Sequence, residues 1–168
     1  MGRMDELTGP VFEALAALGI SYGSYTHPPV FTSEDVEKYW RDIPAVPVKN
    51  LFLRNKKGNR EYLVIVGVEK RVDLQQLVKG IGDDRLSFGS PERLMQTLGL
   101  TPGSVSPFGL LHEGSRGVLV IIDADLRTAD RLIFHPNINT TSVTISFADL
   151  EKFLASRGNP VRLLTMEL

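Results

Sequence analysis

The apolar positions Val11, Phe12, Leu15 and Leu18 recur at the spacing of one helix face. Thr8 suits the cap of this helix, Pro10 its first turn and Gly19 its stop. Ile20, Ser21 and Tyr22 open a short strand running toward His27-Pro28-Pro29. Thr32 or Ser33 caps a second helix through Trp40, with Glu34 and Asp35 in the first turn, where carboxylates meet the positive end of the helix dipole. Residues 48–54 and 61–67 read as strands, and the polar, glycine-bearing stretch 55–59 between them makes a β-hairpin. Asp73 caps a helix over Leu74, Leu77 and Val78, and residues 85–88 form a short strand. Ser90, Pro91 and Gly99 bound a further helix at cap, first turn and stop.

Residues 101–107 form a loop of small residues. The nearly continuous apolar run 117–122 predicts a buried central strand. Residues 132–134 and 142–145 are further strands, Ser146 caps a last helix ending at Gly158, and residues 161–164 add an edge strand. Strands and helices mix without strict alternation. The pattern therefore predicts one α/β domain over residues 1–168, built on a mixed, curved β-sheet flanked by helices.

Composition narrows the chemistry. The chain has 168 residues, 42% hydrophobic and 23% charged, with no cysteine, which excludes disulfides and thiol nucleophiles and suits a cytoplasmic setting. No apolar core follows the basic residue of the first segment, so no signal peptide is expected. Apolar runs reach only about six residues, against the ~20 that span a bilayer, so no membrane partner is expected. The net charge is −1. A protein gripping a long duplex usually presents a basic face, so DNA is not expected and any nucleic-acid contact is local.

The sequence holds no GxSxG, Walker, HExxH or GxGxxG motif, and His27, His112 and His135 are not paired at metal-ligand spacing. No metal or cofactor is expected. Lys49 stands among apolar strand residues, as an anchor for a phosphate or carbonyl, or as a lysine snorkelling from an edge strand. The run Gly103, Ser104, Val105, Ser106 and Pro107 has the composition of a loop presenting backbone N–H groups to an anion, or of a plain turn. His135 follows an apolar strand and reaches toward a site or serves structure. Arg54, Lys56, Lys57 and Arg60 cluster at the hairpin tip, as phosphate contacts or a solvated turn.

Together, residues 48–53, the hairpin with Tyr62-Leu63-Val64-Ile65-Val66, Leu98-Gly99-Leu100, residues 103–109 and Phe134-His135-Pro136-Asn137 resemble the YbaK/ProX family of aminoacyl-tRNA deacylases, relatives of the editing domain of bacterial prolyl-tRNA synthetases. Asn50 after Lys49 and His135 before Pro136 resemble the freestanding alanyl-tRNA(Pro) deacylases most. The resemblance implies hydrolysis of the ester between an amino acid and the terminal adenosine of mischarged tRNA(Pro), with tRNA as partner and prolyl-tRNA synthetase as a second one. It implies Lys49 as the essential lysine at the phosphate and ribose end. Asn50 would hold the adenosine or aminoacyl end, the loop from Gly103 to Pro107 would face the ester carbonyl, and His135, Phe31 and Val46 would bound the aminoacyl pocket.

An aminoacyl ester is already activated, so orienting water and stabilising the oxyanion suffice, without covalent intermediate or metal. A synthetase cannot strongly reject a smaller amino acid, since one methylene is worth about 1–3 kcal/mol, and a second pocket can admit alanine while excluding proline. The competing readings are a deacylase for cysteine- or serine-type mischarging and a tRNA- or nucleotide-binding protein without turnover. A DNA-binding regulator is disfavoured by the charge and by the lack of a helix-turn-helix pattern.

Overall fold

The first apolar stripe folds as a helix, but earlier than its caps suggest. In the computed structural model, which describes residues 3–30 and 32–166, α1 spans Arg3–Ala17 and holds Thr8 and Pro10 inside it. The Met-Asp-Glu-Leu run is rich in good helix formers and adds turns ahead of the proline. Val11 and Leu15 are fully buried, as the stripe predicts. β1 covers Gly23–Thr26, a few residues later than expected. α2, Ser33–Trp40, begins at a capping box: Thr32 Oγ1 accepts from the Asp35 amide at 3.1 Å and Asp35 Oδ2 accepts from the Thr32 amide at 3.2 Å. Phe31 lies outside the described residues.

The hairpin is β2 (Val46–Asn55) and β3 (Glu61–Gly67), followed by α3 (Leu74–Ile81), β4 (Leu86–Phe88) and α4 (Pro91–Leu98). Asp73 and Ser90 accept from the first amides of α3 and α4, and Gly82 and Gly99 end them in left-handed conformation. Residues 101–107 are more ordered than a plain loop: they hold a 3-10 turn at Pro102–Ser104 and enter a second at Pro107–Leu111. Then come β5 (Leu119–Asp123), a 3-10 turn at Ala124–Thr128, β6 (Leu132–Phe134), β7 (Thr141–Ile145), α5 (Phe147–Arg157) and β8 (Val161–Leu164).

The strands form one mixed sheet in the order β1-β7-β6-β2-β3-β5-β8, with β4 also on β2. β2 is its pivot. One edge pairs antiparallel with β3. The other edge is divided: Val46 and Pro47 pair parallel with β6, while Leu53, Arg54 and Asn55 pair antiparallel with β4. Residues 48–52 lie between these pairings, and on this edge no strand among the described residues is opposite them.

Strand alternation sorts side chains between two layers. Val48 and Phe52 join the main core with residues of α1, α4 and α5. Leu51 and Leu53 face the other side, packed with Leu77 of α3. On that same side Trp40 of α2 packs on Ile133 of β6. Lys49 falls on this outer side, between the α2 and α3 clusters and at the interruption in the sheet.

Candidate functional site

The cleft opens where β2 lacks a neighbour. In an antiparallel ladder, alternate residues turn their main-chain groups to one strand and the rest turn away. Val68 donates its amide to Pro47 O at 3.0 Å and Asn55 donates to Arg60 O at 3.1 Å, so the odd-numbered residues of β2 face β3. The even-numbered ones face the divided edge, where Phe52 O accepts from Gly89 at 3.0 Å and the Val46 amide donates to Arg131 O at 2.8 Å. Asn50 thus presents its main chain to the interruption.

A cavity of about 230 Å³ sits there, and it gathers Lys49 and Asn50 from β2, Gly103 and Val105 from the 3-10 loop, and His135 from the end of β6. α2 adds Val36 and Trp40 to its wall. The predicted lysine, asparagine, loop and histidine therefore converge from segments up to 86 residues apart in the chain (Lys49 to His135).

Lys49 Nζ donates to the backbone carbonyl of Lys70. The Lys70 ammonium in turn forms ion pairs at 2.6 Å with fully buried Asp123 and with Asp125, and donates to Met166 O at 3.2 Å. Burial lowers the Lys49 pKa below the ordinary lysine value, the Arg71 guanidinium lowers it further, and Glu69 opposes both. Lys49 is half-buried, with its head turned to a protein carbonyl at the cleft wall.

His135 Nδ1 lies 3.3 Å from Thr141 O, and a carbonyl only accepts, so Nδ1 carries the proton and Nε2 is left as an acceptor in the neutral ring. The ring packs tilted on Trp40 at 5.4 Å between centroids and on His27 at 6.3 Å. Burial lowers the His135 pKa, with His27 adding to the effect and the Thr141 carbonyl opposing it, so the ring is neutral at pH 7. Two polar atoms near the cleft have no partner among the described residues: Asn50 Oδ1, an acceptor, and Trp40 Nε1, a donor.

Other predicted residues take different places. Ser104 is buried and its amide is already donated to Thr101 O at 2.9 Å. Ser106 and Pro107 are buried beneath the loop instead of lining it. The Ser106 hydroxyl donates to Asn137 Oδ1 at 2.9 Å and accepts from the Phe108 amide at 3.0 Å, which pins the 3-10 loop to the turn after β6. Val46 packs into the main core, because its pairing with Leu132 of β6 sets it on that face. The cations at the hairpin tip stand five to seven or more residues from Lys49, roughly 16 Å or more along the strands at ~3.3 Å each. Acidic groups flank that tip: Asp84 Oδ1 accepts from the Lys56 amide at 2.7 Å, and Asp83 Oδ1 accepts from Asn55 Nδ2 at 3.2 Å.

Sequence reasoning passed over Trp40, Lys70 and Asn137. The first two carried no chemical motif. Asn137 stood in the His135-Pro136-Asn137 run, and its φ of 70° is the left-handed conformation that asparagine tolerates better than most residues. Among the described residues no cluster of His, Asp and Glu suits a metal, and no helix is long and apolar enough to cross a membrane.

A family model of the aminoacyl-tRNA editing domain matches residues 27–153. The prolyl-tRNA editing protein ProX of Acetoanaerobium sticklandii is 40% identical over 158 residues, covering 93% of this chain and 95% of that one. The prolyl-tRNA synthetase associated domain-containing protein 1 of Danio rerio is 31% identical over 157 residues, covering 92% of this chain and 85% of that one. Among solved structures, hypothetical protein APE2540 superposes with a TM-score of 0.75 at 17% identity, covering 94% of this chain and 99% of that one. A candidate trans-editing enzyme for prolyl tRNA synthetase superposes at 0.72 and 21% identity, covering 96% and 98%. These two share the fold. With the family model spanning most of the chain and a close relative aligned nearly end to end, the chain belongs to the aminoacyl-tRNA editing domain family and is an aminoacyl-tRNA deacylase.

Proposed function

We propose that this deacylase acts in trans on mischarged tRNA(Pro), with alanine as the amino acid released and the acceptor end as the part gripped. The observation that carries the reading is the convergence of Lys49, Asn50, Gly103, Val105 and His135 on one small cleft. The prolyl-tRNA editing name of the 40% identical relative supports it. Prolyl-tRNA synthetase is the natural docking partner, since the freed tRNA must return to it for correct charging.

Water attacks the ester carbonyl, the bond from carbonyl carbon to ribose oxygen breaks, and alanine leaves with the ribose hydroxyl restored. Lys49 keeps two N–H donors after bonding Lys70 O, and these hold the phosphate and ribose. The amides of Gly103 and Val105 serve the developing oxyanion, a role closed to Ser104 because its amide is spent on Thr101. Asn50 Oδ1, an unpartnered acceptor, and His135 Nε2 suit the α-ammonium group. Val36, Trp40 and His135 bound the space for the amino-acid side chain, which admits a methyl and rejects the larger pyrrolidine ring. The hairpin cations Arg54, Lys56, Lys57 and Arg60 stand away from the cleft, which supports contact with the tRNA body instead of the terminal adenosine.

The test is release of labelled alanine from Ala-tRNA(Pro), beside Pro-tRNA(Pro), Cys-tRNA(Pro) and the Lys49→Ala variant. Fast alanine release with proline spared and the variant inactive supports the reading. Release of cysteine alone moves the substrate, and binding without any turnover replaces hydrolysis by a carrier role.

A further inference from the structure

Phe88 is 62% exposed, the most exposed of the large apolar side chains described. Its Cα lies opposite Leu53 in the β2–β4 pairing, and directly opposed residues share a face of the sheet. Phe88 therefore stands on the outer face with Leu51 and Lys49. It bounds a shallow groove of about 360 Å³, walled by Leu51, Val68, Arg71 and Val72.

Lys49 and Val68 line both this groove and the cleft, so the groove begins at the mouth of the cleft. Its charged groups differ in availability. Lys70 is committed to Asp123 and Asp125, whereas Arg71 is exposed. Among the described residues Glu69 is the one carboxylate residue that lines the groove. An exposed aromatic face beside a guanidinium is the chemistry that binds single-stranded nucleic acid: the ring stacks on a base and the cation meets a phosphate. A duplex cannot offer such a base face. The cleft is small, so the strand continues outside it, and the groove, which shares Lys49 and Val68 with the cleft, offers it an adjoining apolar and cationic surface.

We infer that the groove between Phe88 and Arg71 is a binding subsite for the unpaired nucleotide preceding the terminal aminoacyl-adenosine, with its base stacked on Phe88 and its phosphate at Arg71. This rests on the deacylase reading of the cleft. It assigns the substrate's single-stranded 3′ end, not its stem, as the second element gripped.

The experiment compares wild type, Phe88→Ala and Phe88→Trp on three probes: Ala-tRNA(Pro), alanyl-adenosine, and a fluorescent unacylated RNA tetranucleotide ending in CCA. Phe88→Ala should lower kcat/KM on Ala-tRNA(Pro) by roughly five- to a hundredfold, mostly through KM, and weaken tetranucleotide binding by a similar factor. Phe88→Trp should retain both. Hydrolysis of alanyl-adenosine, which lacks the preceding nucleotide, should be the same in all three proteins. Equal losses on tRNA and on alanyl-adenosine overturn the subsite, as does unchanged tRNA turnover and binding. If wild type hydrolyses neither substrate, the editing reading fails instead, and tetranucleotide binding alone decides the groove: weakened by Phe88→Ala it stands, unaffected it falls.

Discussion

Lys49 donates a hydrogen bond from its ammonium to the main-chain carbonyl of Lys70, and the Lys70 side chain is itself clamped between Asp123 and Asp125 at 2.6 Å. The strand-borne lysine of the cleft thus bonds a loop that follows β3 and is anchored on Asp123 of β5, the strand on the far side of β3. If Lys49 serves the ester as proposed, Lys70 would act through it as a positioning residue. Lys70→Met should leave Asp123 buried and unpaired, costing about 3 kcal/mol, and should displace the Lys70 carbonyl. Misplacement by about 1 Å can cost on the order of a hundredfold in rate. Urea unfolding and single-turnover deacylation, run below the variant's transition, measure the two effects, with Lys70→Arg expected to recover most of the rate. A variant that loses stability but keeps its rate sinks the positioning role.

The Lys49 ammonium should titrate below the ordinary lysine value of 10.5, because burial and the Arg71 guanidinium both disfavour its charge. Arg71→Ala removes one of these causes, so the Lys49 pKa should move back up. Titration of the lysine Cε signal by NMR in both proteins reads this directly. An unchanged Lys49 in the variant would mean that burial acts alone.

His135 is neutral at pH 7, with its folded pKa held below 6.5 by burial. The unfolded chain takes up the proton first as pH falls, so this group's contribution to stability is complete above about 6.5 and disappears as pH drops through the folded value. Denaturation midpoints of wild type and His135→Gln should therefore converge with acidification from pH 7.5 to 5. Parallel curves would show that the ring titrates normally.

Burial of Tyr62, and then the hydrogen bond its hydroxyl donates to Asp83, push the phenol up to about 12, while Asp83, whose own burial works the other way, is lowered on balance by that bond and by those from Asp84 and Asn55. Tyr62→Phe should cost roughly 1.5–3 kcal/mol, the worth of a hydrogen bond to a charged group. The Asp83 part of this difference is present above about pH 3.8 and is lost as pH falls through the lowered folded value. The Tyr62 part is present below pH 10 and is lost as pH rises toward about 12. Urea midpoints at pH 3, 7 and 10.5 for the two proteins check the window.

The brace from Ser106 to Asn137 ties the 3-10 loop to the turn carrying His135. Asn137→Gly keeps the left-handed backbone but removes the brace, and Asn137→Ala also strains it. Both should slow deacylation, with Ala about 1 kcal/mol less stable than Gly. Thermal unfolding beside the rate assay distinguishes these effects, and full activity in the glycine variant would remove the brace from the site.

Much of the fold is local and so was legible in the chain. The Thr32, Asp73, Ser90 and Ser146 caps, the glycine stops and the hairpin of β2 and β3 all follow from hydrogen-bond and turn chemistry within a few residues. The half-buried lysine stood out for the same reason, as a charge inside an apolar strand. α1 misled because its polar first turns carry no stripe, so Pro10 looked like a start. The sequence by itself determined most of the elements, the caps of α2 to α5, and Lys49, Asn50, Gly103, Val105 and His135 as candidates for one site. Tertiary structure alone decided that β6 and β4 divide one edge of β2 and leave Asn50 open, that Trp40 of α2 walls the cleft, that Asp123 reaches Lys49 through Lys70, and that Asp83 and Asp84 flank the basic hairpin tip. Each of these depends on which strand meets which edge across dozens of residues, and strand pairing is fixed by the collective packing of both sheet faces, not by any local run of the chain.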